Sequence, residues 1–249
     1  MTLRRRIGST YVRIFRTYRA WAPTILALAA LVFFPLGLLD AFAAEVDVSS
    51  LDLSSGIKVA AIVAAVGAVT MTGLLGEVFF SGAVAVTLTH PAEETRPTIV
   101  ETARRLRYGR LILVDLLYVA IVAAGLVLIV APGVAAFIWL GLAGPAVELE
   151  ERTAFGALRR SVQLVRGNFW LVFWVLVPIE IVGDAIGDLV HGLLHHLLGD
   201  GFLSAWLAES LSNIVLSPLF AVAAVLLAID LIRARDGSGP VLNSAAVAA

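Results

Sequence analysis

Cysteine is absent from this 249-residue chain, which excludes disulfides, thiolate metal sites and a cysteine nucleophile. Charge is scarce as well. Only 15% of the residues are charged, against roughly 25% in a soluble domain, and lysine occurs once, at Lys58. There is no glycine-rich phosphate loop and no H-E-x-x-H zinc signature. The pairs Glu93–Glu94 and Glu150–Glu151 fall in expected loops at the wrong spacing for intramembrane glutamate proteolysis, and Ser81–Gly82 has no base nearby. No catalytic activity, cofactor or metal is therefore expected.

What the chain has in abundance is apolar sequence: 60% of it is hydrophobic, and its mean hydropathy is +0.95. A hydrocarbon core of ~30 Å takes about 20 residues of helix, and runs of that length fill the chain. The expectation is an all-α, polytopic integral membrane protein with six transmembrane helices, near residues 22–42, 57–89, 110–130, 133–149, 168–187 and 211–232. A basic amphipathic segment, 1–21, precedes this membrane domain of 22–232, and a small, polar-to-neutral tail, 233–249, is expected to be disordered. No soluble catalytic domain is expected beyond the last span. The A-x-A at Ala41–Ala43 resembles a signal cleavage site. However, the apolar run before it is longer than a signal's core of about 7–15 residues, so an uncleaved first helix is expected.

The arginines set the orientation. Arg4, Arg5, Arg6, Arg13, Arg16 and Arg19 precede span one, and Arg96, Arg104, Arg105, Arg107 and Arg110 separate spans two and three. Arg152, Arg159, Arg160 and Arg166 separate spans four and five, and Arg233 and Arg235 follow span six. Only Lys58 falls in the other set of loops, so both termini are expected to be cytoplasmic, in a bacterial plasma membrane. The opposite loops are acidic, and "VAPGVAA" is expected to be a tight turn at Pro132–Gly133.

Three segments look alike: "VRIFRTYRAWAPTILAL", "ARRLRYGRLILVDLL" and "RRSVQLVRGNFWLVF". They read either as a threefold helix-hairpin repeat or as convergence, since any helix entering from the cytoplasm favours arginines and interfacial aromatics. On either reading Arg104, Arg105, Arg159, Arg160 and Arg166 are expected to contact anionic lipid at the inner leaflet.

Three acids stand inside the spans. Glu77 lies beside a ladder of small residues (Gly56, Ala60, Ala64, Ala68, Thr72, Gly76) that lets helices approach closely. Asp115 is about one and a half turns into span three, and Glu180 follows Pro178. An acid at mid-bilayer costs on the order of 3 kcal/mol, so it faces the bundle interior and finds a partner or water. Two readings follow: a proton or cation path, or a set of buried structural hydrogen bonds. A path requires the acids to converge on a hydrated cavity, whereas structural roles would place each in a separate local bond.

In "PIEIVGDAIGDLVHGLLHHLLGDG", a turn of ~100° per residue places Glu180, Asp184, Asp188, His191 and His195 within a sector of roughly 80°. Asp188, His191 and His195 have spacings that suit a divalent ion. They suit equally the wet face of an amphipathic helix at the outer interface.

The stretch "APGVAAFIWLGLAGPAVELEERTAFGALRRSVQLVRGNFWLVFWVLV" has a Pro–Gly turn, a helix ending in Pro145 and Glu148, then Ala157, Leu158, Ser161, Leu164, Gly167, Phe169 and Trp170. With "LLAIDLIRARDG" (Asp230, Leu231, Arg233, Arg235), it resembles the glycerophosphoryl diester phosphodiesterase membrane domain family as a stand-alone member. The usual closing tyrosines are missing. The resemblance spans 10–237 and is most specific over 131–175. It implies six helices and no established biochemical role for the membrane part. The soluble phosphodiesterase barrel of fused relatives, with its His and Glu residues, has no counterpart here. Physically, "TAFGALRRSVQLVRG" reads as an amphipathic inner-surface helix. Gly167 would turn the chain, Asn168 would cap the next span, and Trp170 and Trp174 would anchor it at the interface.

The expected function is non-catalytic: a scaffold or accessory module of the membrane, the alternative being a small proton- or cation-linked transporter or channel using Glu77, Asp115 and Glu180. The expected partners are the lipid bilayer, anionic lipids and a membrane protein of unknown identity; no nucleic acid is expected.

Overall fold

The structure, a computed structural model, describes residues 3–44, 74–90, 97–199 and 201–243. Among them every regular element is a helix. In chain order these are α1 (Leu3–Ala44), α2 (Glu77–Leu88), α3 (Ile99–Arg105), α4 (Tyr108–Leu128), α5 (Val130–Leu140), α6 (Ala143–Leu149), α7 (Ala154–Val165), α8 (Phe169–Leu198) and α9 (Phe202–Asp236). Five helical stretches are long and apolar enough to cross a membrane: Leu3–Leu38, Tyr108–Leu128, Val130–Leu149, Phe169–Leu198 and Phe202–Asp236. The chain is an all-α membrane protein.

Helix α9 is the axis of the bundle. Helices α1, α8 and α2 pack along it, and from Phe220 to Ile232 nearly every side chain is buried. Around this axis Trp21, Phe33, Phe80 and Tyr118 are fully enclosed, and Phe33 meets Phe80 edge-on at 5.3 Å. Elsewhere large apolar side chains point outward, among them Leu31, Leu116, Ile181 and Leu189. In water such exposure would be costly, whereas in lipid it is the ordinary state.

Several expected boundaries move. Residues 3–21 of the basic segment and the first span form one unbroken helix, α1, of 42 residues. The other two arginine-led segments do break, at Leu106–Arg107 between α3 and α4 and at Arg166–Asn168 between α7 and α8. The second and third units therefore share a geometry that the first does not. Each opens on a threonine cap that sequence reading passed over. Thr98 accepts from the Glu101 amide in a full capping box, and Thr153 accepts from the Gly156 amide.

The turn between spans three and four lies at Ile129 (φ −160°, ψ 139°) and not at Pro132–Gly133. Proline needs no amide partner in the first turn of a helix, so Pro132 starts α5 instead of stopping α4. Span four is itself broken at Gly141–Leu142, between α5 and α6. The hydroxyl of Ser161 holds that break, donating to the Trp139 carbonyl at 2.7 Å and accepting from the Leu142 amide at 3.2 Å. Just beyond, α6 lies so close to α2 that a Cβ on Gly144 would strike the Val78 carbonyl. Gly167 turns with φ 88°, but Asn168 makes no side-chain cap bond. It serves through its carbonyl, which accepts from Leu171 and Val172.

The tail differs from expectation too. Helix α9 runs on to Asp236. Beyond it the buried Asn243 donates its amide to the Leu88 carbonyl at 2.9 Å, so residues 237–243 fold back on the bundle. The small-residue positions 56–72 and most of the expected span 57–89 lie outside the described residues. What is described of that span is not one uninterrupted helix, because Gly76 opens α2 with φ 93°, a torsion that glycine tolerates without a Cβ penalty.

Candidate functional site

Helix α8 places its acids on one side and its aliphatic residues on the other. Ile181, Val182, Ile186 and Leu189 are exposed and face outward. The opposite side turns Glu180, Asp184, Asp188 and His191 toward α9 and lines a cavity of about 690 Å³. Gly183 and Gly187 face α9 without being required by the spacing, since a Cβ on either would make ordinary contact, 3.9 Å from Leu216 and 3.7 Å from Ser212. On the α9 side the lining includes Glu209, Ser212, Asn213 and Ser217. At the closed end stands Glu77, the first residue of α2. Leu126, Val134, Phe137 and Phe220 supply apolar wall.

Distances along α8 follow from helix rise. Glu180 lies ten residues beyond the exposed Trp170, or ~15 Å at 1.5 Å per residue. His191 lies ~31 Å from Trp170 along the same helix. Burial rises inward along the same line. Asp184, Asp188 and His191 are exposed and Glu180 is half-buried, while Glu77 retains 6% of its surface. The carboxyl oxygen Oε2 of Glu77 is buried and has no hydrogen-bond partner among the described residues. Glu180, Asp115 and Asp184 all lie within electrostatic reach of it.

The three intramembrane acids thus separate into two kinds. Glu77 and Glu180 share the cavity. Asp115 does not line it. Its Oδ2 accepts from the Gly76 amide at 2.8 Å, and its Oδ1 from the amides of Val78 and Phe79 at 3.0 and 3.1 Å. Those are orphan donors at the start of α2, and a carboxylate there also complements the helix dipole. Asp115 is a capping group, which corrects its place in the expected three-acid site. Its neighbour on α4, Tyr118, is fully buried with an unpartnered hydroxyl.

Of the remaining stripe residues, His195 lies past the cavity. No three histidine or acid side chains converge into a metal-ligand set among the described residues, so the spacing of Asp188, His191 and His195 does not assemble one. Sequence reading missed the contribution of α9. Glu209 was legible only as part of an acidic outer loop, yet it accepts from Asn213 at 3.2 Å. The signal was present: Glu209, Ser212, Asn213 and Ser217 recur at helical spacing on one face.

At the other end of the bundle the arginines divide. Arg104, Arg105, Arg159 and Arg166 are exposed, and Arg105 also lies 3.0 Å from the His90 ring. Arg160 is no lipid contact. It is buried, holds Glu150 through two nitrogens at 2.7–3.1 Å and pairs with Asp236. The amphipathic face of α7 is rotated accordingly, with Phe155 at 68% exposure. Arg107 joins Glu148 and Glu151, and Arg13 joins Asp230.

No family model, curated protein or solved structure matches this chain.

Proposed function

We propose that this membrane protein is a small proton- or cation-linked transporter, working through the cavity between α8, α9 and the start of α2. The observation that carries the proposal is the convergence of Glu77 and Glu180, with Asp184, Asp188 and His191, on one cavity whose lining grows more buried from His191 to Glu77. A scaffold would bury each acid in its own local bond, and among the intramembrane acids Asp115 alone does so. Beneath Glu77 the packed half of α9 closes the path, which is the arrangement of a one-sided vestibule in alternating access.

The same proposal takes the arginine-rich ends as cytoplasmic, in a bacterial plasma membrane, with Arg104, Arg105, Arg159 and Arg166 against anionic headgroups. It takes the chain as a stand-alone relative of the glycerophosphoryl diester phosphodiesterase membrane domains, on the run from Pro145 and Glu148 to Ser161, Gly167 and Trp170. The test is flux of protons and of inorganic and organic cations, each alone, into proteoliposomes. Wild type should conduct, and Glu180→Gln should lose at least tenfold. Equal flux from both, or none from folded wild-type protein, overturns the proposal.

A further inference from the structure

The acids in the cavity are spread out, not gathered. From Glu180 to His191 they follow one helix over eleven residues, ~16 Å, and no ligand set forms among the described residues. An inorganic ion such as Mg²⁺ or Ca²⁺ needs about six oxygens at ~2.0–2.6 Å. These carboxylates act instead as separate negative charges along a trench whose walls are apolar, including Leu126, Val134, Phe137 and Phe220. Among the described residues that line it, none is Lys or Arg. At the closed end the Glu77 carboxyl is buried, lines the cavity and has one oxygen without a partner among the described residues. At about 690 Å³ the space lies within the ~300–1,000 Å³ typical of small-molecule sites.

A cation with its charge spread over a carbon framework fits these features. It needs no inner-sphere oxygens, its apolar surface is satisfied by the walls, and aromatic faces attract it. We propose that the cavity binds a lipophilic monovalent organic cation, with Glu77 as counter-ion at the closed end and Phe137 and Phe220 as aromatic walls. This rests on the transport reading above and names the substrate class of the same site.

The test is equilibrium dialysis of tetraphenylphosphonium against the purified full chain in detergent, with tetraphenylborate, of like shape and opposite charge, as control. Saturable binding near one per chain is expected, with tetraphenylborate excluded and excess Mg²⁺ without effect. Glu77→Gln and Glu180→Gln should each weaken it at least tenfold, and Glu180→Gln carries the test if the Glu77 variant fails to fold. Absence of saturable binding, indifference to Glu180→Gln, or displacement by Mg²⁺ overturns the inference. Proton or metal-cation flux that Glu180→Gln removes, without phosphonium binding, leaves the transport reading standing and sinks this one. Phosphonium binding that both variants weaken, without flux of any cation, supports the site and sinks transport.

Discussion

The two ends of the bundle treat polar groups in opposite ways. From the arginine-rich end inward as far as Asp115, polar side chains close specific joints. Asp115 caps α2, Ser161 holds the α5–α6 break, Thr98 and Thr153 cap α3 and α7, and Arg160 ties Glu150 to Asp236. Toward the other end, between the distal halves of α8 and α9, carboxylates line open space that reaches inward to Glu77, where a buried oxygen has no bond among the described residues. A polar group in a membrane is expensive unless satisfied. The first set is satisfied and so accounts for the fold. The second is unsatisfied by the fold, which is why it is read as a site.

Substitutions test that division directly. Asp115→Ala strips the partner from three buried amides and should cost about 3–5 kcal/mol, seen as a large fall in thermal stability in detergent. Glu77→Gln, one residue beyond the Gly76 that Asp115 holds, should change stability by less than about 1 kcal/mol. Equal losses from the two would erase the distinction between cap and site.

Within the arginine-rich end, burial should rank the ion pairs. The side chains of Arg160 and Glu150 are 9% and 14% exposed, against 40% and 35% for Arg13 and Asp230. Arg160→Ala leaves a shielded carboxylate alone and should cost about 2–4 kcal/mol, whereas Arg13→Ala should stay below about 1 kcal/mol. A double-mutant cycle with Glu150→Ala would isolate the pair. Ser161→Ala comes next, at about 1–2 kcal/mol, because it strands the Leu142 amide and removes a donor from the Trp139 carbonyl. Hydrogen exchange should rise first at Leu142.

The smallest effect expected is at the cap of α3. Glu101 accepts from the Thr98 amide at 2.7 Å and the Thr98 hydroxyl at 2.9 Å, and that backbone bond, first of its causes, holds its carboxyl below the ordinary 4.5. A lowered folded value means the contribution is complete above the unfolded value and is lost as pH falls through the folded one. Protection of the amides at the start of α3, taken relative to intrinsic exchange at each pH, should therefore fall as the medium is acidified below 4.5, and Thr98→Ala should flatten that dependence. It would also move in the opposite direction if repulsion, not capping, governed Glu101.

The sequence by itself determined that this is a helical membrane protein, where most of its spans lie, and that Glu180 to His191 share one helix face. Length, hydropathy and helical period are local properties, and they survive without knowledge of neighbours. Tertiary structure alone decided which acids belong together. Asp115 and Glu77 look alike in sequence, each an acid in an apolar run. They differ because α4 packs where α2 begins and brings the Asp115 carboxylate to the orphan amides of α2, while Glu77 faces a gap that α8 and α9 leave open. Arg160 repeats the lesson. Beside Arg159 it reads as a lipid contact, but helix α7 rotates it toward Glu150 and Asp236. Such partners come from 10 and 76 residues away. Contacts at those separations depend on how the helices pack, and no short stretch of sequence carries them.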